Sequence, residues 1–242
     1  MSTSTAALPT LSNEYKQQQQ QAVLDSDVLY QFELIKEPFT DYISITGWVI
    51  GAAFMLWVST LVSVWYFYIF TILIIASLGT YLYYSGNPDI QQTVTLTEKG
   101  IIVSDLELVP DACYAALRYS GYVGVAISVV AVIFVGPMAF VGAGAGLLMS
   151  FKMAGVVNRP KIQIKPFIKG LDYLLEEGEP RFKHDVLYYF LSADIAPYHL
   201  SDEAHDEMRI FHEVVYYANP ELQADFMKAL NQIVKTKEIE LY

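Results

Sequence analysis

The side chains most able to do chemistry lie close together near the end of the chain. His205, Arg209 and His212 are spaced i, i+4 and i+7, so they share one face of a predicted helix, and Asp202, Glu203, Asp206 and Glu207 crowd beside them. Imidazole and carboxylate groups are the ligands of zinc and related ions. The spacing argues against that use. Seven residues are two turns, about 10 Å, too far for His205 and His212 to share one ion without contorted rotamers. The His-Glu-x-x-His pattern is absent. The cluster reads as an acidic, solvated helix face, and no metal is assigned. The other two histidines, His184 and His199, sit in no ligand pattern.

Nucleophilic chemistry is no better supported. Cys113 is the only cysteine and has no local signature of a catalytic thiol. It also excludes an intramolecular disulfide, and a Cys₂His₂ or Cys₄ zinc site is excluded by count. Glu176-Glu177-Gly178-Glu179 is a carboxylate run beside Pro180 and reads as a solvated loop. The Gly-x-Ser-x-Gly, P-loop and Gly-x-Gly-x-x-Gly patterns are all missing. No catalytic residue and no cofactor is assigned, and the chain is not expected to be an enzyme.

One motif has a physical meaning of another kind. Gly142, Gly144 and Gly146 lie within an apolar run, and Gly142 and Gly146 form Gly-x-x-x-Gly. Small residues let helix backbones approach closely in an apolar environment. The motif predicts a helix-packing seam, either between subunits or within one. Gly136 and Pro137, just before it, form a candidate hinge.

The elements that would carry these residues follow from the charge pattern. Residues 1–41 are polar, with glutamines at 17–21, and read as a tail with a short amphipathic helix before Pro38. Residues 42–84 contain no charge. One helix of that length would run to about 65 Å, twice the ~30 Å of a bilayer core. A helical hairpin turning near Ser59–Trp65 is predicted instead. Residues 85–111 alternate like a β-hairpin, with strands near 93–97 and 101–104, and 161–167 reads as a third strand with Ile162 and Ile164 on one face. Residues 112–157 form a second apolar block that fits either two helices or one kinked at Pro137, and residues 158–242 read as that strand followed by a helical bundle. Helices are predicted over 171–176, 182–193, 202–217 and 220–235, with Asp202 and Asn219 as caps and Pro220 at the first helical position.

Composition gives these pieces a common setting. Of 242 residues 54% are hydrophobic and only 17% charged, against roughly a quarter charged in ordinary soluble domains. The fold expected is therefore an all-α multi-pass membrane bundle with a small cytoplasmic α+β part. Lys152, Arg159, Lys161, Lys165 and Lys169 follow the second block with no acid among them. By the positive-inside rule they put the C-terminal part in the cytoplasm. The absence of eukaryotic targeting signals points to a bacterial inner membrane. A net charge of −11 argues against a nucleic-acid partner. The function expected is that of a non-enzymatic membrane-complex subunit. It would have the lipid bilayer as one partner, form a homo-oligomer, and dock a protein partner through its C-terminal domain. A small pore or channel is the alternative reading.

Overall fold

Along Val28–Lys36 the side chains alternate, with Phe32 and Lys36 buried and Gln31, Glu33 and Ile35 exposed, and this segment is strand β1. In the computed structural model the described residues are 11–62, 64–136, 152–153, 155–195 and 202–239. They form two units. The first comprises the chain up to Phe39, Ile90–Leu106 and the segment from Pro160 onward; the second comprises Thr40–Asp89 and Glu107–Arg159.

The first unit contains two four-stranded sheets. One has the order β1-β2-β3-β4, with β2 at Ile90–Thr97, β3 at Gly100–Glu107 and β4 at Lys161–Pro166. β1 runs antiparallel to β2 with Glu33 opposite Thr93, and β3 antiparallel to β4 with Ile102 opposite Ile164. The other has the order β7-β6-β5-β8, built from β5 (Tyr173–Phe182), β6 (Val186–Ala193), β7 (Val214–Ala218) and β8 (Thr236–Ile239). β8 pairs in parallel with β5, and the other pairs in this sheet are antiparallel.

Both sheets feed one core. Phe32, Val94, Leu96, Ile101 and Val103 come from the first, and Tyr173, Leu175, Tyr189, Leu191 and Tyr216 from the second. Helix α6 (Pro220–Leu230) closes it with Phe226, whose ring meets Phe32 edge-on at 5.8 Å and Tyr216 at 5.0 Å. Its start is set locally. The Asn219 side chain accepts the Leu222 amide at 2.8 Å, and Pro220 occupies the first turn. Helix α5 (Asp202–His212) packs against β4 and β6. Helix α1 (Asn13–Leu24), capped by Ser12, packs against β4. Buried Val23 of α1 lies against Gly100, on the side of β3 opposite Ile101. A Cβ at Gly100 would fall 2.8 Å from Val23 and 2.9 Å from Pro166, and closer still to the Lys165 carbonyl, so the helix can seat there only over glycine.

The second unit is helical among the described residues: α2 (Tyr42–Thr60), α3 (Trp65–Ser85) and α4 (Asp111–Val135). Asp41 caps α2 by accepting the Ile43 and Ser44 amides and the Ser44 hydroxyl, which holds its carboxyl below the usual carboxylate range. α2 and α3 form an antiparallel hairpin that closes over Gly79, where a Cβ would meet the Trp48 ring at 2.8 Å. By length and composition each of these two helices is able to cross a bilayer. Most of their apolar side chains are exposed, Ile43 and Tyr83 among the most open. Length and hydropathy alone assign them no surroundings. Gly136 follows α4 with φ +81, the left-handed conformation common just past a helix end.

This architecture corrects the expected all-α multi-pass membrane bundle with a small cytoplasmic α+β part. The described chain is mixed α/β, with eight strands in two sheets and six helices. Four segments read as helix are strand: the amphipathic piece before Pro38 is β1, 171–176 and 182–193 fall in β5 and β6, and the end of the helix expected over 202–217 is β7, the helix itself stopping at His212. Their aromatic and β-branched residues have strand preferences that the helical spacing of their apolar positions concealed. The glutamine run, read as tail, is helix α1.

Candidate recognition surface

Alternation gives the first sheet an inner and an outer face, and they differ sharply. On the inner side, beside the core, is a polar node. Lys36 Nζ donates to Asp105 Oδ1 at 2.9 Å, and Gln92 Nε2 donates to the same oxygen at 2.8 Å. The Lys36 ammonium lies 4.7 Å from the centre of the Tyr217 ring and 5.7 Å from that of Phe182, a cation–π seat. Burial lowers the Lys36 pKa, and the bond and charge of Asp105 work against that shift. Gln92 Oε1 accepts the Tyr217 amide at 2.8 Å. Tyr217 belongs to β7, an edge strand, so Gln92 satisfies a backbone donor that a bare edge would leave open. The node ties the two sheets together and holds no group free to react.

The outer face is open. β1 presents Gln31, Glu33 and Ile35; opposite them β2 presents Thr95, Thr93 and Gln91. Gln91 Nε2 donates to Glu33 Oε2 at 3.3 Å across the strands. Ser104 of β3 continues the face to Ile162 of β4, which is 58% exposed. α1 covers the end near Gly100 with Val23 and packs against β4. The result is a hydrogen-bonded ladder bearing hydroxyls, amides, one carboxylate and the aliphatic side chains of Ile35, Ile102, Ile162 and Ile164. Such a surface can bind another macromolecule.

The histidines highlighted by spacing are not brought together. His205 is half-buried on α5, while His212 is buried and its Nδ1 lies 2.6 Å from the Pro166 carbonyl oxygen. No group of three or more metal-ligating side chains is found among the described residues. His184 lies in the β5–β6 turn at φ +62, with its Nε2 3.4 Å from Glu37, and His199 lies outside the described residues. Cys113 is buried near the start of α4.

The basic run has several local roles. Lys161 and Lys165 share the β4 face opposite Asp105 and Ile101. Lys165 Nζ donates to the Ile210 carbonyl at 2.7 Å, and burial lowers its pKa. Lys152, Arg159 and Lys169 are exposed. Ile162 and Ile164 do share a face, but it is the outer one. Gly142, Gly144, Gly146 and Pro137 lie outside the described residues.

With this geometry in place, comparison with known proteins decides the family. The model of the TsiV2 immunity protein family matches residues 11–168, more than half of the chain. The chain belongs to the TsiV2 immunity protein family. A curated relative, "Immunity protein TsiV2" of Vibrio cholerae serotype O1 (strain ATCC 39315 / El Tor Inaba N16961), is 44% identical over 64 residues. That segment covers 26% of this chain and 26% of the relative, so the aligned region spans about a quarter of the relative's length. No solved structure matches.

Family membership settles that the chain is not an enzyme. It also corrects the expected function. The chain is a member of an immunity-protein family, not a multi-pass subunit anchoring a membrane complex, and the pore or channel alternative falls with that reading. The inner-membrane localisation with a cytoplasmic C-terminus is corrected too, as are the bilayer, homo-oligomer and C-terminal docking partners. All of these were inferred from apolar composition, the basic run and the glycine motif, none of which identifies a partner. No sequence motif signals immunity, and the helical spacing of the apolar residues in β1 hides the outer face of the first sheet.

Proposed function

We propose that the chain protects the cell that makes it by binding a toxin polypeptide through the open face of its first sheet. The observation that carries this reading is the family match over residues 11–168, which takes in β1 to β4 whole and ends just after β4. Neutralisation by binding needs no catalytic group. It needs a surface whose shape survives the encounter, and a hydrogen-bonded ladder braced by the Lys36–Asp105–Gln92 node supplies one. Gln31, Glu33, Thr93 and Thr95 offer directional hydrogen bonds, and Ile35 and Ile162 offer apolar contact, the mixture found across protein interfaces. The net charge of −11 favours a toxin surface of positive potential and speeds its approach.

The test is a survival assay. Cells of the producing strain lacking this gene are mixed with the parent strain, with and without the gene restored on a plasmid. The deletion strain is expected to be killed and the restored strain to survive. Equal survival of deleted and restored cells, under conditions where the parent kills an unrelated susceptible strain, would overturn the assignment.

A further inference from the structure

We propose that His212 is a proton-sensitive latch that holds helix α5 onto strand β4 and releases it on acidification. The inference concerns the fold and stands whether or not the outer face of the first sheet is the toxin-binding surface. The latch joins residues far apart in sequence: His212 Nδ1 and the Pro166 carbonyl oxygen are 2.6 Å apart. A carbonyl can only accept, so Nδ1 carries the proton and Nε2 is left with a lone pair. His212 is 2% exposed, and its Nε2 is buried with no hydrogen-bond partner among the described residues. A second proton would arrive at Nε2 as a buried charge facing no acceptor, the costly case for a polar group.

The surroundings add to the cost. From β4, Lys161 and Lys165 are the charged groups, and the charge of Lys165 itself disfavours a cationic His212. α1 brings Lys16, whose Nζ lies 6.0 Å from the ring centre of neighbouring Phe211. β6 contributes only the phenols of Tyr188 and Tyr189 as titratable groups. On its own side His212 has Arg209 one turn back and Glu213 next in sequence; the carboxylate of Glu213 acts on Lys165. Burial, the largest cause, pushes the His212 pKa below the ordinary imidazole value, and the Pro166 bond only partly opposes it. The sign follows. The stability this residue contributes is full above about pH 6.5, the ordinary value, and is lost as the pH falls from there through the lower folded-state value. The adjoining contact, Lys165 Nζ to the Ile210 carbonyl, belongs to the same joint and would part with it.

The experiment follows amide hydrogen exchange of the full chain between pH 7.5 and 5, corrected for intrinsic rates, together with the NMR titration of the His212 ring. The α5 amides are expected to lose protection about tenfold for each pH unit below the ordinary histidine value, while β2 and β6 keep theirs. His212→Asn, whose amide can still donate to Pro166 but does not titrate, should abolish the pH dependence. His205→Asn, on the same helix, should leave it intact. The proposal is overturned if His212 titrates at or above its ordinary value, if it protonates while α5 stays protected, or if His212→Asn loosens with acid just as the native chain does. If His212→Asn does not fold, the native chain decides: coincident midpoints for ring titration and α5 exchange support the latch, and separate midpoints overturn it.

Discussion

Lys36 and Asp105 meet 2.9 Å apart, and the two are unequally buried: the lysine side chain is 2% exposed and the aspartate 27%. That inequality decides which partner can be lost. Removing the carboxylate leaves an ammonium enclosed by Phe182 and Tyr217 with no counter-charge, which for buried pairs costs about 3–5 kcal/mol. Removing the ammonium leaves a carboxylate that still reaches water and keeps Gln92 as a donor. Asp105→Ala is therefore expected to destabilise the first unit by about 3 kcal/mol or more, and Lys36→Met by clearly less. Chemical denaturation followed by tyrosine fluorescence measures both. Equal losses would mean that the pair is not what holds the node.

Gly100 makes a steric prediction. An added methyl would press on the Lys165 carbonyl, on Val23 and on the Pro166 Cα, and two of these three are backbone and cannot swing aside. Gly100→Ala is expected to cost about 1–3 kcal/mol as overpacking and to loosen α1 from β4. Faster proteolysis within residues 13–24 would report it. Adding Val23→Ala, which removes one of the clashing groups, should restore part of the lost stability only if the clash with the helix matters beside that with the backbone.

Asn219 tests a local rule. Its side chain satisfies the Leu222 amide at 2.8 Å, so Asn219→Ala is expected to cost about 1 kcal/mol. Asn219→Asp, which can still accept that bond, should cost less. Thermal unfolding of the three chains ranks them; if alanine matches the native residue, α6 is held by Phe226 and Leu230 alone.

Some of this could be read directly from the sequence and some could not. β2, β3 and β4 alternate over enough residues to be recognised, and Asn219-Pro220 marks a helix start in two adjacent letters. The helical hairpin within 42–84 follows from its unbroken apolar content. β5 and β6 were misread because Val186-Leu-Tyr-Tyr-Phe-Leu191 has no clean period of two: both faces are partly covered, so apolar residues run on without polar interruption. β1 was misread because its inward row includes Lys36, a charge that pattern reasoning sends to solvent. The node itself joins residues 69 positions apart, and nothing local announces such a pair. The spacing that puts His212 on an acidic, solvated helix face misplaces it: the ring is buried, and its partner is the carbonyl of a proline 46 residues away.

The outer face of the first sheet carries the last prediction. Glu33 and Thr93 stand directly opposite one another there, away from the core, so changing both alters the surface and leaves the packing alone. Reversing the charge and adding bulk with Glu33→Arg and Thr93→Arg places two like charges across the strands, which costs the fold at most about 1 kcal/mol. Against a toxin surface of positive potential the same change turns attraction into repulsion, an effect that acts on association rate as well as affinity. The double variant is expected to accumulate and unfold like the native chain yet fail to protect cells in the survival assay. A matched pair on the second sheet, Glu177→Arg with Arg181→Glu, should protect normally. Full protection by the first variant would move the toxin-binding surface elsewhere while leaving the immunity function intact; loss of protection by both would point to a footprint that spans the two sheets.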